Sequence, residues 1–324
     1  MINTVYRLVA PRRFEIAFED INLFGENAIV RPTYLSICNA DMRYYLGTRD
    51  AKVLAEKLPM ALIHEGVGEV FLDPTGTFKT GDKVVMVPNA PVEKDEFIAE
   101  NYLRSSKFCG SSMDGFLQEF VEISPKRLVK LPDDIDMTVA AFTEIVSVSV
   151  HAISRFDKIA HARRNTISVW GDGNLGYITS LFLKYHFPKS KIVVFGTSSD
   201  KLADFTFADE THLVNEVPDG FTTDHAFECV GGNGSPIAIE QIIGLIKPEG
   251  TISILGVSEY PVPINTRMIL EKGLRVFGSS RSGVKDFAKT VDMYKKHPEI
   301  IDYLGNLINS VNVVRTTTDI KKCI

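Results

Sequence analysis

Gly171-Asp172-Gly173-Asn174-Leu175-Gly176 follows the apolar run Ile167 to Trp170 directly, and it precedes Leu175, Ile178, Phe182 and Tyr185 at helical spacing, with Pro188 as a stop. Three glycines alone are an ordinary strand-to-helix connection. Placed between an apolar strand and an amphipathic helix, they divide the labour of binding a pyrophosphate. Gly171 makes the tight turn, Gly173 lets a phosphate approach the backbone, Gly176 allows the helix to pack closely, and Asn174 and Leu175 open the helix beneath the ligand. The stretch is expected to bind a dinucleotide.

Working outward from that turn, Ile192 to Phe195, Ala226 to Val230, Ile252 to Gly256 and Leu274 to Phe277 are apolar runs with no polar alternation. Strands buried on both faces read this way, and with helices between them they predict a doubly wound parallel sheet. The residues before the turn have another character. Ala28 to Arg31, Gly66 to Leu72 and Lys83 to Val87 are short β segments separated by Gly and Pro, which predicts a β-rich lobe. After about Ser280, Phe287, Val291 and Tyr294 share one helical face, followed by Tyr303, Leu304 and Leu307; this segment is read as a return to the first lobe. The expected division is a catalytic domain over 1–147, a dinucleotide-binding domain over 148–280, and the return over 281–324. The end, with Thr318 or Asp319 as an expected N-cap, reads as abrupt and truncated.

Composition narrows the class. The chain has 324 residues, 44% hydrophobic and 24% charged, with no apolar run approaching the ~20 residues of a membrane span. Arg7, Arg12 and Arg13 interrupt the opening stretch, so it lacks the core of a secretory signal. Four scattered cysteines, Cys38, Cys109, Cys229 and Cys323, argue against a disulfide framework and for a reducing, cytoplasmic location. A net charge of -5 gives no electrostatic reason to bind nucleic acid.

Which dinucleotide binds is read about 20 residues past the turn, where an NAD site usually carries Asp or Glu against the ribose hydroxyls. Here the chain reads Gly196-Thr197-Ser198-Ser199-Asp200-Lys201. The acid is missing at the strand end. Thr197, Ser198 and Lys201 supply hydroxyl donors and a positive charge suited to a 2′-phosphate, so NADP(H) is expected over NAD; a shifted register that used Asp200 is the competing possibility.

Cys38, the pair His64-Glu65, and Glu144 precede the turn. Taken singly they are a small buried hydrophobe, a core histidine and two solvated acids. Taken together they are a thiolate, an imidazole and two carboxylates, a set suited to catalytic Zn²⁺ with an open position. Glu144 stands at the start of an apolar helix, where an unpaired carboxylate is costly and calls for a cation or a donor.

Cys38-Asn39-Ala40-Asp41, His64-Glu65-Gly66 with Gly68, Thr80-Gly81-Asp82-Lys83-Val84, Asp114-Gly115-Phe116 and the glycine turn together resemble the medium-chain zinc-dependent dehydrogenases and reductases over nearly the whole chain. The resemblance implies a GroES-like β-rich catalytic domain beside a Rossmann domain, catalytic zinc on Cys38, His64 and Glu144, and Glu65 able to exchange onto the metal. Two positions depart from that family. Asn89 to Met113 holds only Cys109, so the family's second, structural zinc is not expected, and Ala40 replaces its proton-relay hydroxyl. Tyr44 and metal-bound water are the two alternatives for carrying the proton.

Asp41-Met42-Arg43-Tyr44-Tyr45, Gly47-Thr48-Arg49-Asp50, Leu58-Pro59-Met60, His225 to Gly232 and Gly278 to Gly283 are similar to the ribulose-5-phosphate reductases. That likeness implies NADPH-dependent formation of ribitol 5-phosphate for CDP-ribitol, teichoic acid or capsule synthesis, and coupling to a cytidylyltransferase. Arg43 and Arg49 lie a few residues after the cysteine ligand and offer bidentate contacts to a substrate phosphate, unless they pair with neighbouring acids such as Asp41 and Asp50, while Arg281 is open to facing either the substrate phosphate or the cofactor. An NAD-linked polyol dehydrogenase would use the same metal set, and a nonenzymatic dinucleotide-binding protein would keep the fold alone. A homodimer is the default assembly.

Overall fold

Between Met1 and Lys130, short apolar stretches broken by turns give ten strands and two helices. These are β1 (Ile2–Ala10), β2 (Arg13–Asp20), β3 (Ala28–Ser36), α1 (Asn39–Leu46), α2 (Ala51–Lys57), β4 (Met60–Ala61), β5 (Glu65–Leu72), β6 (Lys83–Met86), β7 (Asn89–Ala90), β8 (Lys107–Phe108), β9 (Val121–Ile123) and β10 (Leu128–Lys130). Every pairing among them is antiparallel, in a five-stranded sheet β10-β6-β5-β3-β9, a three-stranded sheet β2-β1-β4 and the small ribbon β7-β8. The hairpin β1-β2 escaped the sequence reading. Its turn, Pro11-Arg12, lacks the usual turn glycine and places Arg12 at φ 63, while most of β2 faces water.

The computed structural model describes all 324 residues, and contacts divide them into Met1–Ser147 with Ser282–Ile324, and Val148–Arg281. In the first unit, α3 (Met137–Ala140) and the start of α4 (Thr143–Ile159) follow the strands, and α9 (Val284–Lys296), α10 (Glu299–Gly305) and α11 (Thr317–Cys323) complete it. Phe287 and Val291 of α9 close one core with Val67, Val85, Val87 and Leu131. Ile320 of α11 joins another with Val5, Leu8, Phe14 and Met60. The cap of α11 is Thr316, earlier than expected: its hydroxyl accepts from Asp319 N–H while the Asp319 carboxylate accepts from Thr316 N–H, a reciprocal box that places Asp319 inside the helix.

The second unit is built from α5 (Asn174–His186), α6 (Ser199–Ala203), α7 (Ser235–Leu245) and α8 (Thr266–Lys272) with β11 (Thr166–Trp170), β12 (Lys191–Gly196), β13 (Glu210–Leu213), β14 (Thr223–Glu228), β15 (Ile246–Ile254) and β16 (Arg275–Gly278). All six strands are parallel in the order β13-β12-β11-β14-β15-β16. The order reverses beside β11, which makes its C-terminal end the switch point where a doubly wound sheet binds its ligand. Trp170 stacks on Phe195 at 4.5 Å, and its indole N–H donates to Gln241 Oε1 at 2.7 Å, so the largest buried ring is both packed and satisfied. β13 escaped the sequence reading because this short edge strand carries Glu210, Thr211 and His212 rather than an apolar run. No helix is long and apolar enough to cross a membrane.

His225 of β14 is fully buried, with its ring 4.4 Å from that of His161. Thr251 N–H donates to His225 Nδ1 at 3.1 Å, so the neutral ring carries its proton on Nε2, and a second proton would meet the amide. Burial first, and then the charge of His161, lowers its pKa to about 4. A depressed histidine pKa contributes stability that is complete above the unfolded value near 6.5 and is lost as pH falls toward 4, roughly 3 kcal/mol at the limit. Urea unfolding from pH 7.5 to 4.5 is expected to show this loss, and His225→Gln should flatten the slope. An unchanged slope would remove His225 as its source.

Candidate metal centre and cofactor turn

Cys38 stands where β3 gives way to α1, in an extended conformation as the N-cap. Its Sγ accepts from Ala40 N–H at 3.5 Å, and its own N–H donates to Asp41 Oδ2 at 3.1 Å. The other oxygen of Asp41 accepts from Ile63 N–H at 2.9 Å and lies 3.8 Å from His64 Nδ1. One fully buried carboxylate therefore ties together the two chain segments that carry the cysteine and the histidine. Burial raises the pKa of Asp41, opposed by His64 and by these amide donors.

His64 and Glu65 are neighbours, and side chains adjacent along a regular strand point to opposite faces. The backbone breaks that rule at Ile63, which adopts φ 72, a left-handed conformation unfavourable for a β-branched residue. Regular pairing of β5 starts only at Glu65. Ile63 is held from outside by Asp41 and by Phe116 N–H, which donates to its carbonyl at 2.7 Å. Gly115 makes the approach feasible, since a Cβ there would lie 2.2 Å from Ile63 O. As a result, ligand atoms of Cys38, His64 and Glu65 all lie within 4.8 Å of one another.

Burial, and then the negative charge of Glu65, pushes the Cys38 thiol well above its ordinary range. Burial and Glu144 push Glu65 up as well, while hydrogen bonds with Ser36 and Cys38 pull the other way. These groups cannot all be anionic without a cation among them, and thiol, imidazole and carboxylate together fit zinc. Glu144, in the first turn of α4, is buried and outside the close trio, but near enough for its charge to act on both Cys38 and Glu65. Its helix start is fixed by Ser147, whose hydroxyl donates to Glu144 O at 2.6 Å and pairs with Ser282 Oγ at 2.6 Å. His64 also packs against Phe108, ring centroids 5.4 Å apart, a contact that nothing in the local sequence announced.

Tyr44 lies in the apolar core beside Val5, Leu8, Met60 and Leu62, with the Arg49 guanidinium 4.9 Å from its ring centroid. Arg43 on α1 and Arg49 just beyond it are both half-buried. In the other unit, Arg281 is half-buried at φ 57.

The glycine turn has the form that a pyrophosphate needs. Gly171 takes φ 131, and a Cβ on Gly176 would lie 1.9 Å from Gly171 O, so the helix start can pack there only without a side chain. A Cβ on Gly173 would meet nothing within 4 Å, which leaves open approach over an exposed amide. Asn174 is exposed and Leu175 half-buried in the first turn of α5. Thr197 and Lys201 are exposed and Ser198 half-buried at the end of β12, and Asp172 reaches across to Thr197 and Ser198. The open backbone at the switch point fits a dinucleotide.

Comparison with known proteins agrees with both halves. Residues 25–133 match the alcohol dehydrogenase GroES-like domain, and residues 188–296 match the zinc-binding dehydrogenase domain. Ribulose-5-phosphate reductase 1 of Staphylococcus aureus is 55% identical over 320 residues, 99% of this chain and 94% of the relative. A ribulose-5-phosphate reductase of Bacillus spizizenii is also 55% identical with the same coverage. The crystal structure of S. aureus TarJ in complex with NADPH superposes with a TM-score of 0.89 at 50% identity, covering 99% of this chain and 94% of that one. The chain is an oxidoreductase acting on CH–OH groups, and it belongs to the zinc-binding medium-chain alcohol dehydrogenase family, in the group that contains the ribulose-5-phosphate reductases.

Proposed function

We propose that this chain reduces D-ribulose 5-phosphate to D-ribitol 5-phosphate with NADPH and a single zinc ion, in the cytoplasm, where its free cysteines stay reduced. The observation that carries the reading is 55% identity across 99% of the chain to reductases of that name, joined to a close Cys-His-Glu set of the right donor chemistry, with His64 and Glu65 buried and Cys38 half-buried. When bound, zinc supplies a Lewis acid for the C2 carbonyl and NADPH supplies the hydride. Cys38, His64, Glu65 and Glu144 would hold the ion, with Asp41 orienting the first two. Ala40 has no acidic hydrogen to pass on, and Tyr44 is packed in the core. Arg43 and Arg49 are the cations assigned to the substrate phosphate, and Arg281 is assigned to either that phosphate or the cofactor. Gly171, Gly173, Asn174, Leu175 and Gly176 take the pyrophosphate, and Ser198 and Lys201 take the 2′-phosphate, whereas Thr197, expected beside them, commits both its N–H and its hydroxyl to Asp172. The product feeds cytidylyl transfer to CDP-ribitol for teichoic acid or capsule, with a cytidylyltransferase as pathway partner. A homodimer is part of the reading, supported by the sheet edge at β16 and by the exposed Val257, Tyr260 and Leu270 of the same unit.

The direct test is oxidation of NADPH with ribulose 5-phosphate, with and without a chelator, beside metal analysis. Equal turnover of an unphosphorylated ketose with NADH would overturn the proposal. Arg49→Ala is expected to raise KM for the sugar phosphate by about tenfold or more while leaving that for the free sugar nearly unchanged, because a charge-assisted contact contributes about 1.5–3 kcal/mol. Equal effects on both substrates would remove Arg49 from the phosphate site.

A further inference from the structure

The strand end that lacks an acid in sequence acquires one in space. Asp172, second residue of the glycine turn after β11, extends its carboxylate to the end of β12, and Oδ2 alone accepts from Thr197 N–H at 2.6 Å, Ser198 N–H at 2.8 Å and Thr197 Oγ1 at 3.1 Å. Gly196 is what admits it: a Cβ there would lie 2.7 Å from Asp172 Cβ and 2.9 Å from Oδ2. The interaction is specific to this pair of loops. It also consumes the two amides and the threonine hydroxyl that an incoming ribose or phosphate would otherwise meet.

What remains for an anion is a different set of donors. Ser198 Oγ accepts from Lys201 N–H at 3.4 Å, which leaves its hydroxyl hydrogen to donate outward, and Ser199 and Lys201 are exposed. Their arrangement depends on the backbone at Thr197 and Ser198, and that backbone is fastened by Asp172. We propose that Asp172 is a positioning residue for cofactor selection: it fixes the Thr197–Ser198 backbone so that Ser198, Ser199 and Lys201 are arranged to receive a 2′-phosphate. The proposal rests on the NADPH reading above. A contrary role is defined by the same geometry, since a carboxylate at this strand end could accept the ribose hydroxyls itself and favour NADH.

Equilibrium binding separates these, without turnover. Dissociation constants for NADPH and NADH by fluorescence, and for 2′,5′-ADP and ADP by calorimetry, are compared in the wild type, Asp172→Asn and Asp172→Ala, with circular dichroism as a check on folding. The wild type is expected to bind NADPH and 2′,5′-ADP about tenfold or more tighter than their counterparts. Asp172→Ala should lose that preference, with weakening of about tenfold confined to the 2′-phosphorylated ligands. Asp172→Asn keeps an oxygen that accepts the same amides and should retain most of it. Equal weakening of all four ligands in Asp172→Ala, or a sharper preference for NADPH, overturns the assignment. Absence of preference in the wild type defeats the NADPH reading itself and this inference with it; that outcome is read from the wild type alone.

Discussion

Replacing Cys38 by alanine is expected to lower NADPH-dependent reduction of ribulose 5-phosphate by at least about a thousandfold and to strip the chain of zinc. A Lewis acid stabilises a developing alkoxide by several kcal/mol, and each 1.36 kcal/mol is tenfold in rate. The local fold should survive. The sulfur contributes the long contact to Ala40 N–H and a hydrogen bond with Glu65, and the stronger half of the cap, Cys38 N–H to Asp41, does not involve it. NADPH binding should be preserved, because the glycine turn belongs to the other unit. A metal-free Cys38→Ala variant with wild-type turnover would falsify the zinc assignment.

The second large effect is structural, and it reaches the same centre from a residue that bears no ligand. Gly115→Ala places a methyl group 2.2 Å from Ile63 O and 2.4 Å from Leu62 O, both backbone atoms with no rotamer to yield. The two segments must part, weakening Gly115 N–H to Ala61 O at 2.8 Å and Phe116 N–H to Ile63 O at 2.7 Å. Overpacking combined with lost hydrogen bonds is expected to cost about 3–5 kcal/mol and to lower Tm by about 10 °C. Because His64 follows Ile63 directly, zinc content should fall far below that of the wild type. A variant that melts and binds metal normally would show that the Ile63 turn tolerates displacement.

The turn at 171–176 and the strands around it were legible because their signals are local: glycines at fixed offsets between an apolar run and a helical period. The ligand set was legible as unusual residue types at familiar spacings. What brings these groups into geometry was not legible, because it lies in contacts between distant segments. Asp41 to Ile63 spans 22 positions and Asp172 to Thr197 spans 25, with no shared periodicity to reveal them. The Thr197 region shows the cost of reading one position at a time. The acid looked absent there because it was sought on the strand that ends at Gly196, whereas the fold brings it from the neighbouring loop. Tyr44 shows the converse, a polar ring close in sequence to a ligand that the core absorbs.

The first unit is not continuous in sequence. Val67, Val85 and Leu131 close their core on Phe287 and Val291, whereas Val148–Arg281 is a single uninterrupted segment. Translation therefore delivers the two units out of step. The dinucleotide-binding segment has all its strands once Gly278 has left the ribosome, while the lobe begun at Met1 still lacks the helix that seals it. Its apolar sheet face stays uncovered for the time needed to make roughly 150 residues, at ~5–20 residues per second. During that interval the nascent lobe carries an apolar face that the finished protein covers with Phe287 and Val291.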